Sequence, residues 1–161
     1  MSIGPYAFSN CTGLTSLIIP NSIISIGDSA FSHCASLTNI TIPDSVTTID
    51  NFVFYSCTGL TSVAIGNNVT SIGQRAFSDC ISLTSVTIPN SVMSIGSYAF
   101  SDCTNLTEID FSTHNAVPTL ASISAFNNTS ANLVIKVPSL LASGWKAATN
   151  WSTYADKIMG V

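Results

Sequence analysis

The chain has little charge. Four Lys and Arg and eight Asp and Glu make up 7% of its 161 residues, and the formal net charge is −4. Arg75, Lys136, Lys146 and Lys157 form no basic track, which excludes nucleic acid as a partner. Hydrophobic residues reach 46%. Even so, no apolar run approaches the roughly 18 residues of a membrane-spanning helix, so membrane insertion is not expected. The usual chemical signatures are missing too. There is no Gly-x-Ser-x-Gly elbow, no Cys-x-x-Cys, no His pair at metal spacing and no Asp-x-Asp-x-Asp-Gly loop. The expectation is a protein that is not an enzyme, with no catalytic residues, no metal and no cofactor.

What the chain does have is a 23-residue period. Phe recurs at Phe8, Phe31, Phe54, Phe77 and Phe100, and Cys at Cys11, Cys34, Cys57, Cys80 and Cys103. Leu14, Leu37, Leu60, Leu83 and Leu106 follow, with aliphatic columns at the same step. A strict period of this length predicts a solenoid in which each unit is one coil and equivalent residues stack. One unit exposes too much apolar surface to fold alone, and identical columns let neighbouring units cover each other.

Within a unit, Leu-Thr-x-Ile-x-Ile-Pro alternates in and out and predicts a short strand, over 14–19 in the first copy. Successive copies must pair in parallel, because a full coil separates them. Val-Thr-Ser-Ile predicts a second, shorter extended piece. Gly4, Gly27, Gly73 and Gly96 follow it and suggest either positive φ or close backbone approach, with Asp50 tolerating the left-handed region in its copy. Ala-Phe-Ser-x-Cys is expected to form a tight helical turn on the opposite wall. Residues 1–111 thus hold five repeats. The register slips after Ser112, so 112–138 reads as a degenerate last repeat in which 112–119 bulges out as a loop. Residues 139–161 read as a C-terminal cap, with one or two short helices over 139–158 placing Trp and Tyr on the last coil. The chain begins in mid-repeat, with Ile3, Phe8, Leu14, Leu17 and Ile19 facing nothing. The expectation is a fragment of a longer protein, or an open end covered by another chain through end-to-end self-association.

Few residues suggest chemistry. The cysteines stack at one per coil and are odd in number, which points to buried, reduced thiols rather than disulfides or a metal site. His33 stands in a column of variable surface residues, and His114 in the irregular loop. The remaining candidate is the outward strand face: Ser16 and Ile18, Asn39 and Thr41, Ser62 and Ala64, Ser85 and Thr87, Glu108 and Asp110. It is a ladder of mostly small, uncharged groups without aromatic anchors, suited to weak or avidity-dependent binding of a protein or a glycan.

The unit Ile-Pro-x-Ser-Val-x-x-Ile-Gly-x-x-Ala-Phe-x-x-Cys-x-x-Leu-Thr-x-Ile-x-Ile-Pro resembles the BspA-like (Treponema pallidum-type) leucine-rich repeats, most clearly at Pro43 to Phe54 and Pro89 to Cys103. Trp145 to Trp151 and Tyr154 to Ile158 resemble the C-terminal end of such proteins. Asp50, Gly66 in the Pro column and the 112–119 insertion depart from the pattern. The resemblance implies a right-handed leucine-rich-repeat coil from a secreted or cell-surface protein, with a parallel β-sheet on one face and short turns or strands on the other. It also implies adhesion to host or bacterial surface proteins. The signal and anchor for that location are expected to lie outside this chain. The functional expectation is a non-catalytic binding or adhesion module. A structural spacer rod is the alternative, and a glycan binder a minor one.

Overall fold

The computed structural model describes residues 1–161, which wind into a parallel β-solenoid of about seven turns with the 23-residue repeat. Its strands, in chain order, are β1 (Ser2–Ile3), β2 (Ser25–Ile26), β3 (Asn39–Thr41), β4 (Thr48–Ile49), β5 (Ser62–Ala64), β6 (Ser71–Ile72), β7 (Ser85–Thr87), β8 (Ser94–Ile95), β9 (Glu108–Asp110), β10 (Thr119–Leu120), β11 (Val134–Val137) and β12 (Ile158–Gly160). Each coil contributes to two strand walls. One wall carries β3–β5 and β7–β9–β11–β12, the other β1–β2 and β4–β6–β8–β10. All pairs are parallel, and the register is one period: Asn39 opposes Ser62, Ile40 opposes Val63, Ser71 opposes Ser94. Between β5 and β7 the coils still lie side by side, though the ladder itself is interrupted.

The third wall is made of turns, not helix. In Gly27–Cys34, alternate amides bond within the coil, Ala30 N to Gly27 O and Ser32 N to Ser29 O. The others donate to the next coil, Ser29 N to Asn51 O, Phe31 N to Val53 O and His33 N to Tyr55 O, at 2.8–3.0 Å. A helix would keep every bond inside its own segment. This arrangement sends half of them along the solenoid axis, as a sheet does, so the expected helical turn does not form. Its backbone requires two left-handed residues per coil. One column is Tyr6, Ser29, Phe52, Arg75 and Tyr98, and the other is Asn10, His33, Ser56, Asp79 and Asp102. His33 therefore sits in a column chosen by backbone geometry: Asn, Asp and His are the non-glycine types most enriched there. A bulky side chain in that region costs about 1–2 kcal/mol.

The glycine column has the other explanation offered for it. No glycine has positive φ. A Cβ at Gly73 would lie 2.7 Å from the backbone of Asp50, and one at Gly96 2.6 Å from that of Gly73 and Gln74. Asp50 is not left-handed either. Close coil-to-coil approach selects glycine here.

The core fills the space between the walls. Phe8, Phe31, Phe54, Phe77, Phe100 and Phe126 form one stack with ring centroids 5.2–5.8 Å apart and interplanar angles of 1–15°. Beside it the cysteines are all free, four buried and Cys11 exposed. Each buried thiol donates to a phenylalanine carbonyl one coil back: Cys34 to Phe8, Cys57 to Phe31, Cys80 to Phe54 and Cys103 to Phe77, at 3.0–3.2 Å.

Two features of the C-terminal end differ from expectation. The 112–119 segment does not simply bulge out. His114 is 3% exposed and lies edge-on to Phe111, with Pro118 also buried. Ser112 N donates to Asp110 Oδ1 and Asn115 N to Asn90 Oδ1, which folds the insertion back over the core. The cap holds the expected short helix but ends in a strand. It has one short helix, α1 (Ala142–Ala147), flanked by 3₁₀ turns at Ser139–Leu141 and Trp151–Tyr154. Ile158 belongs to strand β12, paired with Ile135 of β11, and 135 to 158 is again one period. The cap is therefore a last coil, closed by Trp145 and Trp151 packed 4.7 Å apart over Phe111.

Candidate functional site

Alternation along β3, β5, β7 and β9 sends Ile40, Val63, Val86 and Ile109 inward, and turns their neighbours outward. Asn39, Thr41, Ser62, Ala64, Ser85 and Thr87 are exposed, while Glu108 and Asp110 are half-buried. They form two in-register columns, continued by Val134 and Lys136 on β11. Ser16 and Ile18 are exposed as well, Ile18 at 91%, but no strand forms over 14–19. From the first coil, Thr15 O accepts from Thr38 N and Thr38 Oγ1, and this contact is not extended into a ladder.

The charged end of this face is tied down. Lys136 Nζ lies 2.7 Å from Glu108 Oε2, and that carboxylate raises the lysine pKa. Asp110 Oδ1 accepts the amide of Ser112. The acidic pair is thus partly neutralised by a lysine that sequence spacing, broken by the insertion, did not place. Along the strand ends, a shallow cleft of about 650 Å³ is lined by Val63, Ala64, Ile65, Asn67, Thr87 and Thr113, among others. It sits where Gly66 replaces the proline of other coils, and where the ladder between β5 and β7 is interrupted.

The turn wall carries side chains that the outward-face reading missed. His33 and Tyr55 rings meet edge-on at 5.2 Å, Phe52 and Tyr55 at 5.9 Å, and the Arg75 guanidinium lies 5.0 Å over the Tyr98 ring. Asp102 accepts from Ser101 Oγ and from Asn128 Nδ2, and these two bonds lower its pKa. A signal was available in the sequence: positions 6, 29, 52, 75 and 98 are one period apart and hold mostly aromatic residues or arginine.

Residues 1–133 match the family model described as BspA type leucine rich repeat region, in six copies. Among solved structures, the chain is similar to a leucine rich repeat protein of T. pallidum at 32% identity, over 85% of this chain and 65% of that one, with a TM-score of 0.75. A leucine-rich repeat protein from Bacteroides ovatus shares 27% identity, over 99% of this chain and 45% of that one, with a TM-score of 0.71. A leucine rich cell surface protein from Faecalibacterium prausnitzii shares the fold at 20% identity, over 99% of this chain and 55% of that one, with a TM-score of 0.53. The chain spans less than two thirds of the length of each. No curated protein matches it.

Proposed function

The chain belongs to the BspA-type leucine-rich repeat family, and from that membership we propose that it is a non-catalytic binding module acting in adhesion at a cell surface. The observation that carries this reading is the strand face itself. Asn39, Thr41, Ser62, Ala64, Ser85 and Thr87 stand exposed in fixed register on a parallel sheet. Their spacing is set by backbone pairing, so little ordering entropy is lost when a partner docks. Hydroxyl and amide groups at one-coil intervals offer many weak contacts, which suits repeated, avidity-dependent attachment to a host or bacterial surface protein. A neighbour described as a cell surface protein supports the location. The test is binding of the purified chain to immobilised extracellular-matrix proteins and bacterial surface proteins. Binding that is abolished when Asn39, Thr41, Ser85 and Thr87 are replaced by Trp or Arg supports the reading. Uniform absence of binding at high protein concentration overturns it.

A structural spacer is the second reading. It is favoured by the small size of these side chains and by the absence of any ring on the strand face. A spacer keeps its function when the same four residues are made bulky.

A further inference from the structure

The rings absent from the strand face are gathered on the turn wall. Positions 6, 29, 52, 75 and 98 all have φ between 52° and 59° and hold Tyr, Ser, Phe, Arg and Tyr. Glycine or asparagine would relax that backbone, yet four of the five coils place a large side chain there. Strained positions that persist against an easy alternative point toward function. Tyr6 is 66% exposed, and Phe52, Arg75 and Tyr98 are half-buried. Tyr55 adds a ring where the other coils carry Ser9, Ser32, Ser78 and Ser101.

Planar polar groups flank this column on both sides. On one side are Asp28, Asn51 and Gln74, all exposed. Asp28 Oδ1 and Asn51 Oδ1 each accept the next coil's amide, at 3.0 and 2.9 Å, which fixes both groups while the Asn51 amide nitrogen and the second Asp28 oxygen make no hydrogen bond within the protein. On the other side are His33, Asp79 and Asp102. These columns include no large aliphatic side chain, whereas the centre of a protein interface is normally rich in apolar groups. Rings beside fixed amides and carboxylates suit a sugar: its C–H faces pack on the rings and its vicinal hydroxyls bond to the planar groups. The wall is open, since the clefts of the molecule lie at the strand ends and beside the cap. It repeats every 5.2–5.8 Å, judged from the phenylalanine stack, a step comparable with one hexose in an extended chain. Asp28, Asp79 and Asp102 outnumber Arg75, which disfavours an anionic polymer.

We propose that the turn wall binds a linear, neutral polysaccharide laid along the solenoid axis, with Tyr6 and Phe52 as stacking platforms and the stacked Arg75–Tyr98 pair as a third contact. This site is on a different wall from the strand face and does not depend on protein adhesion there. Affinity electrophoresis of the 161-residue chain through gels containing hydroxyethyl cellulose, xylan or glucomannan tests it. The control variant is Tyr6→Ser, Phe52→Ser and Tyr98→Ser together, because Ser29 already occupies this column with the same backbone. Retardation by at least one polymer, weakened tenfold or more in the triple variant while its circular dichroism and melting temperature are kept, is the expected result. A Thr87→Arg change on the strand face should leave retardation intact. No retardation by any of the polymers overturns the proposal, as does retardation that the triple variant retains. Loss of binding to an immobilised protein in the triple variant, without any polysaccharide binding by the parent chain, makes the wall a protein-docking surface and also overturns it.

Discussion

The thiol of Cys57 donates a hydrogen bond to the carbonyl oxygen of Phe31, 26 residues earlier, at 3.0 Å. The same carbonyl accepts the backbone amide of Cys34 in its own coil. One atom thus ties the turn of one coil to the side chain of the next, and the pattern repeats at Cys34, Cys80 and Cys103. The cysteine column packs as a set of small apolar groups and also cross-links coils without a disulfide.

The thiols should be silent toward reagents in the folded state. Burial pushes Cys103 up to about 12 and Cys80 well above its ordinary value, and the thiolate is the reactive form; Cys34, whose pKa the hydrogen bond with Cys57 lowers, is protected by its complete burial instead. Titration with a chromogenic disulfide is expected to show one fast thiol, Cys11, and four more only on denaturation. Two or more fast thiols in the native protein would mean the column is open.

Phe54 lies between Phe31 and Phe77, fully buried. Phe54→Ala is expected to lower unfolding free energy by about 3–5 kcal/mol, measured by denaturant titration. Leu60→Ala, also fully buried, should lower it by about 2–5 kcal/mol. A near-neutral outcome for either would contradict stacking of the coils.

Two glycines should respond in opposite directions to the same change. A Cβ at Gly73 would meet the backbone of Asp50 at 2.7 Å, and Gly73→Ala should destabilise by about 1–3 kcal/mol. Gly144 lies inside α1 with nothing within 4 Å of its Cβ position, so Gly144→Ala should stabilise by about 0.5–1 kcal/mol. Thermal melts of the pair decide it; equal shifts would argue against close coil approach as the reason for the column.

His114 links the cap to pH. Burial lowers its pKa below the ordinary 6.5, against the opposing influence of Val92 O, Phe111 O and Asp110. Nε2–H donates to Val92 O at 3.3 Å, and Nδ1 is then a buried acceptor without a partner. The unfolded chain takes up a proton near pH 6.5 and the folded chain only below that, so the unfolded state binds more protons in the interval between. Stability should therefore fall as pH drops below about 6.5, down to the folded value. Melting temperature followed from pH 8 to 5 should show this decline, and His114→Gln should flatten it. An unchanged profile in His114→Gln would assign the decline to other groups.

Much of the coil is legible in particular residues. The Phe and Cys columns predict stacking because buried side chains have no choice of neighbour once the period is set. The outward positions of β3, β5, β7 and β9 follow from the two-residue alternation of a strand. His33 is the instructive exception. Its column of Asn, His, Ser, Asp and Asp reads as surface variation, yet its members share φ of 57–61°. Side-chain identity reports the left-handed region only weakly, whereas hydrogen bonding between coils requires it. Ile158 misled in a different way, since its spacing from Trp151 fits a helix and its spacing from Ile135 fits a coil.

The sequence by itself determined the repeat length, the parallel stacking and the identity of the buried columns, because each of these follows from periodicity and from apolar area that one unit cannot hide. Only the tertiary structure decided what satisfies the backbone between the strands. Alternate amides of the turn wall reach to the next coil, and no local pattern encodes a bond to a residue 22 positions away. The same holds for the insertion at 112–119, which His114 anchors inward, and for Ser16 and Ile18, whose coil touches the next through Thr15 O and Thr38 without forming a strand. The aromatic and arginine side chains of Tyr6, Phe52, Arg75 and Tyr98 become a surface only through that wall, since one-coil stacking aligns residues that lie 23 apart in the chain.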